Sequence, residues 1–323
     1  MPTGTQSLRN DRNYAAFVLV AAAALAVVWL MMDRPANPPA DRPAAQSDGF
    51  ATRWLATTAL DRGYVAATAP DDVQAHDVFT RVMAGDRSAA VQTGLAKAGF
   101  DLLTRQSGGA DWTAITERSD AATGKGAYLI RAGGAPVLLQ VPHRFNDLHT
   151  GTIAALVMDE HPILAAAWNT VPRWYDENGR RVDADLAHAA HSQFAAFGLA
   201  FAAAYPGGRI IQLHGFSHDR RTSDAGRTAG FIVSSGSKAP GRAASEVAQC
   251  LRDAFSDDPA RLYPLQVREL GGTTNTVGQA LRGAGFDGFV HLEMSRKMRE
   301  NLLVDAGARA RLARCLTGGE SWW

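Results

Sequence analysis

From about residue 126 onward the chain alternates short apolar runs with longer stretches of helical periodicity, and no other feature leaves it so few folds. GAYLIRA and PVLLQV, separated by Gly133 and Gly134, read as a hairpin or as two neighbouring strands. The runs ILAAAW, RIIQLH, GFIVSS and FDGFVHLEM then alternate with helical patterns over TIAALVMD and about residues 183–204, 242–256, 274–284 and 296–315. Short strands feeding longer helices pack best as an α/β fold, a mixed and largely parallel sheet with helices on both faces. Residues 126–323 are therefore expected to form an α/β core, preceded over 51–125 by a helical N-terminal part of the body. In that part Asp71 and Asp72 follow Pro70 as a helix start, and Val78, Val82, Val91, Leu95 and Ala98 carry the apolar rhythm.

The first 50 residues are of another kind. Residues 14–32 are 19 in number and uncharged, which at 1.5 Å per residue spans roughly 28 Å, close to the hydrocarbon thickness of a bilayer. Arg9 and Arg12 precede the run, so the positive-inside rule favours a cytoplasmic segment 1–13, a transmembrane anchor 14–32 and an external body. A cleaved signal segment, cut after PPADRPAA, is the competing reading and exports the body equally. Residues 33–50 hold four prolines up to Asp48 and read as an extended linker. Cys250 and Cys315, the two cysteines, can pair in an oxidising compartment if their Cα atoms approach within about 7 Å, and otherwise serve as small buried hydrophobes. A net charge of +1 provides no clustered basic face, which excludes nucleic acid as the expected partner.

In open α/β sheets ligands lie beyond the carboxyl ends of the strands. The residues ending the strands here are His143, Asn169, His214 and the segment His291 to Glu293. Histidines and carboxylates from separate strands, meeting in one crevice, have the composition of an open catalytic zinc site. His143, Asp147 and His214 supply three candidate ligands to one Zn2+ ion, and Glu293 a general base. Arg296 and Arg299, just after it, can grip a substrate carboxylate. Alternatives stand beside each assignment. Asp147 can instead cap the helix starting near Thr150, and His149 can replace it as a ligand. His188 and His191 fit a helix face packed on the sheet, and Ser234 and Ser235 lack the GxSxG elbow of a serine hydrolase.

The succession PHRFNDLHTG, AAAWNTVPR, IIQLHGFS and HLEMSRKMREN resembles the zinc-dependent amidohydrolases of carboxypeptidase-like, phosphorylase/hydrolase-like fold: N-formylglutamate amidohydrolases, poly-γ-glutamate hydrolases and, more distantly, N-acetylmuramoyl-alanine amidases. The resemblance covers about residues 126–315. It implies zinc on His143, Asp147 and His214, Glu293 as the acid/base, and Arg296 and Arg299 on a substrate carboxylate, with Asn169 and Arg173 of the AAAWNTVPR segment joining them as substrate-binding residues. Such relatives typically carry a glutamate three positions after the first histidine, whereas here the carboxylate is Asp147, four positions after His143. The expected function is an exported, membrane-anchored, metal-dependent hydrolase of an amide bond in a carboxylate-bearing substrate, cell-wall peptide or polyglutamate-like polymer. The alternative is a non-catalytic anchored binding module on the same fold.

Overall fold

A computed structural model describes residues 49–59 and 63–319. Three helices open the described chain: α1 Phe50–Leu55, α2 Ala69–Met83 and α3 Ala89–Lys97. The start of α2 follows from its sequence, because Thr68 and Asp71 form a reciprocal capping box with Pro70 in the first turn. Its apolar stripe Ala75, Val78, Phe79, Val82 and Met83 is buried, as are Val91 and Leu95 of α3.

The expected helical character of 51–125 ends at residue 99. Strands β1 Phe100–Ser107 and β2 Ala110–Glu117 form an antiparallel hairpin at the edge of the sheet. Then follow β3 Ala127–Arg131, β4 Ala135–Val141, α4 Thr150–Glu160, β5 Ile163–Trp168, the small ribbon β6 Trp174–Glu177 and β7 Arg180–Asp183, α5 Gln193–Ala204 and β8 Arg209–Phe216. A short α6 Asp224–Thr228 leads to β9 Phe231–Ser234, α7 Arg242–Ala254, β10 Ala260–Leu262, α8 Thr276–Gly283, β11 Phe289–Ser295, α9 Arg296–Val304 and α10 Ala306–Thr317.

The large sheet has nine strands in the order β1-β2-β3-β5-β4-β8-β11-β9-β10. Its centre, β5, β4, β8 and β11, is parallel throughout, while β3 and β9 run antiparallel to it on either side. The mixed sheet is thus as expected, but β3 and β4 do not pair, because β5 lies between them. Helices cover both faces: α1, α4, α7, α9 and α10 pack on one core, and α2, α3, α5 and α8 on the other. Cys250 and Cys315 form a disulfide, with Cα atoms 5.4 Å apart, that ties α7 to α10.

The expectation of a transmembrane helix in front of this fold is corrected: among the described residues no helix is long and apolar enough to cross a membrane. The longest described helix, α2, has 15 residues and commits its apolar stripe to the sheet, whereas a span needs about 20. Segments 1–13 and 14–32, and residues 33–48 of the linker, lie outside the described residues. The helix expected over 183–204 is also shorter, since it begins at Gln193, where the Ser192 side chain accepts from Ala195 N as an N-cap. Asp185, His188 and His191 therefore belong to a loop, not to a helix face.

The chain leaves β4 through α4 to β5 on one side, then returns past β4 to β8 on the other. Between β4 and β8 the order reverses, and the crevice beyond their carboxyl ends is where such a sheet offers a site.

Candidate metal centre

A cleft of about 510 Å3 opens there. His143 lies just past β4, His214 on β8 and Glu293 on β11, with His214 and Glu293 directly opposite each other in the parallel register. Asp147 reaches the same point by a local device. The amides of Asn146 and Asp147 both donate to the His143 carbonyl, so the segment makes one helical turn and the fourth residue on, not the third, returns to the side of His143. This turn accommodates the one-residue departure from the resembled pattern. Asn146 instead accepts the Arg173 amide through its Oδ1 at 3.1 Å.

Asp147 Oδ2 stands 3.5 Å from His143 Nδ1 and 3.3 Å from His214 Nδ1. Ligand atoms of these three residues all lie within 4.8 Å of one another. The capping role for Asp147 is not realised by its side chain: the N-cap position of α4 is His149, which sits in the left-handed region at φ 75 and makes no capping hydrogen bond through its side chain. His149 lines the cleft but stands outside the three-residue cluster.

The far side of each imidazole is already engaged, and the way it is engaged fixes the ring. His143 Nε2 is 2.7 Å from Asp185 Oδ1. Asp185 is buried, accepts the Ala187 amide, and pairs with His188 Nδ1 at 2.9 Å and Arg173 Nε at 2.8 Å. Surrounded by donors, it is an ionised carboxylate, so His143 Nε2 carries a proton and donates it.

His214 Nε2 lies 2.9 Å from Gln212 Oε1, and the amide's polarity is set from both ends by backbone groups that cannot flip. On one side Gln140 Nε2 must donate to the Phe194 carbonyl, so Gln140 Oε1 accepts from Gln212 Nε2 at 3.2 Å. On the other, Asn275 Oδ1 accepts the Gly278 amide, so Asn275 Nδ2 donates to Gln212 Oε1 at 2.5 Å. His214 therefore donates from Nε2 and presents the Nδ1 lone pair to Asp147. A lone pair facing a carboxylate at 3.3 Å is an arrangement that a cation resolves. The donor set, two imidazoles and one carboxylate, could hold a metal ion and leave a position open.

Charges follow the same geometry. Burial works against a charged His143, but hydrogen bonds to Asp147 and Asp185 outweigh it and raise its pKa to about 9. Those bonds hold both carboxyls far below the ordinary range in spite of their own burial. Burial lowers His214 and, more strongly, His291. Glu293 is pushed up to about 8, by burial and then by the Asp147 charge. Its Oε2 is enclosed and has no hydrogen-bond partner among the described residues.

A second group, His214, His291 and Glu293, has ligand atoms equally close. Its two rings, however, stack with centroids 4.4 Å apart and planes at 29°. Stacked rings direct their in-plane lone pairs side by side rather than to one point, so the first group is the better metal cage.

The remaining sequence-derived residues divide. Arg173, Arg296 and Arg299 line the cleft. Arg299 is buried and donates to the Leu148 and Phe216 carbonyls, which holds it rigidly beside Glu293. Arg296 is mostly exposed and pairs with Glu300 at 2.8 Å. Asn169 does not join the cleft: it is fully buried, accepting the Arg144 amide and donating to the Val171 carbonyl. Asp185 and Gln212, which orient both imidazoles, went unread in the sequence, as did Arg220 and Arg221, which line the cleft.

No protein-family model matches the chain, and no curated protein matches it. Among solved structures the chain is similar to a bacteriophage poly-gamma-glutamate hydrolase, with 10% identity and a TM-score of 0.32 over 62% of this chain and 90% of that one. It is similar also to a gene product of Agrobacterium tumefaciens, with 13% identity and a TM-score of 0.29 over 57% of this chain and 88% of that one. At these values the likeness is one of coarse outline.

Proposed function

We propose that this chain is a metal-dependent hydrolase of an amide bond. The observation that carries the reading is the convergence of His143 Nδ1, His214 Nδ1 and Asp147 Oδ2 on one point, with the outer nitrogen of each imidazole already held by Asp185 or Gln212. A zinc ion held by these three residues would supply Lewis acidity toward a water and the amide carbonyl. Glu293 takes a proton from the water as its oxygen adds to the carbonyl carbon. When the C–N bond breaks, Glu293 returns that proton to the departing nitrogen, and a carboxylic acid and an amine leave. With its carboxyl raised to about 8, Glu293 holds and releases a proton within the working range of a base.

The cleft favours an acidic substrate. Arg173, Arg220, Arg221, Arg296 and Arg299 line it, of which Arg173, Arg221 and Arg296 also pair with Asp185, Glu269 and Glu300, while the lining carboxylates are those of Asp147 and Glu293, both of which the chemistry occupies. Within this reading a peptide-like or polyglutamate-like chain bearing carboxylates is the natural substrate, bound in part through Arg173 and Arg296. The disulfide between Cys250 and Cys315 supports an oxidising, extracytoplasmic setting for the body, where cell-wall peptide is within reach.

Metal content measured by mass spectrometry on the purified protein, beside His143→Ala and His214→Ala variants, tests the reading. Near-stoichiometric zinc that either substitution removes is the expected result. Well-folded protein that comes metal-free from a zinc-replete preparation would end the hydrolase reading and leave a binding module.

A further inference from the structure

His291 is the buried polar side chain of the cleft that hydrolysis by Glu293 leaves without a task. It lies on β11 two residues before Glu293, so both side chains leave the same face of the strand. In the parallel register it stands opposite Gln212, beside the amide that orients His214. Its ring is clamped: His214 stacks on it at 4.4 Å, and Gly272 approaches so closely that a Cβ there would fall 2.7 Å from its Cδ2. Gly272 also has φ 59, a conformation that glycine adopts without strain.

One nitrogen of this ring lies within 4.8 Å of both a His214 nitrogen and a Glu293 carboxylate oxygen. His291 stands outside the His143, Asp147 and His214 group, and its ring lies stacked beside that of His214. The protonation of the ring follows from enclosure. Nδ1 is shut in without a hydrogen-bond partner among the described residues. An enclosed N–H lacking an acceptor is rarer and costlier than an enclosed lone pair lacking a donor. The proton therefore belongs on Nε2, the nitrogen left to face the cleft that the residue lines.

We propose that His291 donates Nε2–H to the carbonyl oxygen of the scissile amide and stabilises the negative charge that builds there as water adds. A fixed donor aimed at the developing oxyanion, with its ring immobilised between His214 and Gly272, needs no rearrangement during the reaction. This role rests on the hydrolase reading above, and the measurements below keep the two apart.

The test uses the full-chain, zinc-loaded, 15N-labelled protein and acetohydroxamate as an oxyanion probe. Long-range 1H–15N spectra, with His291 assigned by its loss in His291→Gln, should show the Nε2–H tautomer and a shift of that signal on adding the probe. An Nδ1–H tautomer, or a signal the probe does not move, overturns the proposal whatever the variants do. Among variants, glutamine places an amide donor near the former Nε2 and asparagine places it near the former Nδ1. His291→Asn should weaken acetohydroxamate binding by about tenfold and His291→Gln by less than about threefold. Zinc content should be unchanged in both. Loss of zinc in both variants would make His291 a ligand and overturn this role while leaving the hydrolase standing. Wild-type protein that takes up no zinc would sink both.

Discussion

The two ends of the central parallel strands are built on opposite principles. At their amino ends backbone meets backbone: a Cβ on Gly288 would fall 2.1 Å from the Gly208 carbonyl oxygen, and one on Gly208 would fall 2.7 Å from the Pro136 carbonyl oxygen. At their carboxyl ends the strands deliver His143, His214, His291 and Glu293 into an open cleft, and enclosed atoms such as Glu293 Oε2 and His291 Nδ1 go without hydrogen-bond partners among the described residues. Unsatisfied polar groups each cost free energy. A sheet closed this tightly at one end can hold them in place at the other, so packing and chemistry are separated along the same strands.

The largest effect is expected at the chemical end. Glu293→Gln keeps the shape of the side chain and removes its base, so activity should fall by about 10²–10⁴-fold while zinc content stays at the wild-type level. Zinc lost together with activity would place Glu293 among the ligands and favour the second cluster over the first.

The protons of the site give the next effect. The His143 pKa of about 9 lies above the ordinary 6.5, so its proton stabilises the metal-free fold fully below pH 6.5, and that contribution is lost as pH rises through 9. Glu293, raised from 4.5 to about 8, acts in the same direction, because its neutral form is the one the buried site accepts. A zinc ion held by His143, Asp147 and His214 would displace the His143 proton from Nδ1. Its affinity should therefore rise about tenfold per pH unit between pH 6 and 8, read by competition with a chromophoric chelator. A flat profile would mean that His143 is neutral in the metal-free protein.

How much of this was legible in the sequence depended on where each residue sits. His143, His214 and Glu293 could be read because apolar runs mark strands, and the polar residue that ends a run marks the carboxyl edge. Their supports could not. Asp185 lies in DADLAHAAH, an alanine-rich stretch with helical rhythm, and only the cap at Ser192 shows that the helix begins later. Gln212 is one polar residue inside an apolar strand, and its function depends on Gln140 and Asn275 at separations of 72 and 63 residues. The β1–β2 hairpin was missed for a related reason: β1 is an edge strand, mostly exposed, and carries no clean alternation. That β5 inserts between β3 and β4 is a decision of the tertiary fold, with no local signal.

Those supports sharpen the comparison, since the two imidazoles are held by unlike groups, a carboxylate behind His143 and a neutral amide behind His214. Asp185→Asn should weaken zinc binding by about 10- to 100-fold, because the ring loses its charged acceptor and the donor of the new amide can turn toward it. Gln212→Ala should cost less, about tenfold, since no charge is removed. The same chelator competition reads both. Equal losses would show that orientation alone matters; a larger loss for Gln212→Ala would put the amide chain ahead of the carboxylate.

The smallest effect on the site is expected at the opposite end. Gly288→Ala introduces a methyl group 2.1 Å from a backbone oxygen of Gly208, and backbone cannot swing aside as a flexible side chain can. The strands must separate locally, at about 1–3 kcal/mol, seen as a melting temperature lowered by a few degrees. Zinc affinity should not change, and Gly288→Ala combined with Asp185→Asn should give the sum of the two separate effects on stability, since distant sites add. Weaker zinc binding in Gly288→Ala alone would show that the pitch of the strands at their amino ends sets the spacing of His143 and His214 at the other, and that the two ends are one mechanical unit.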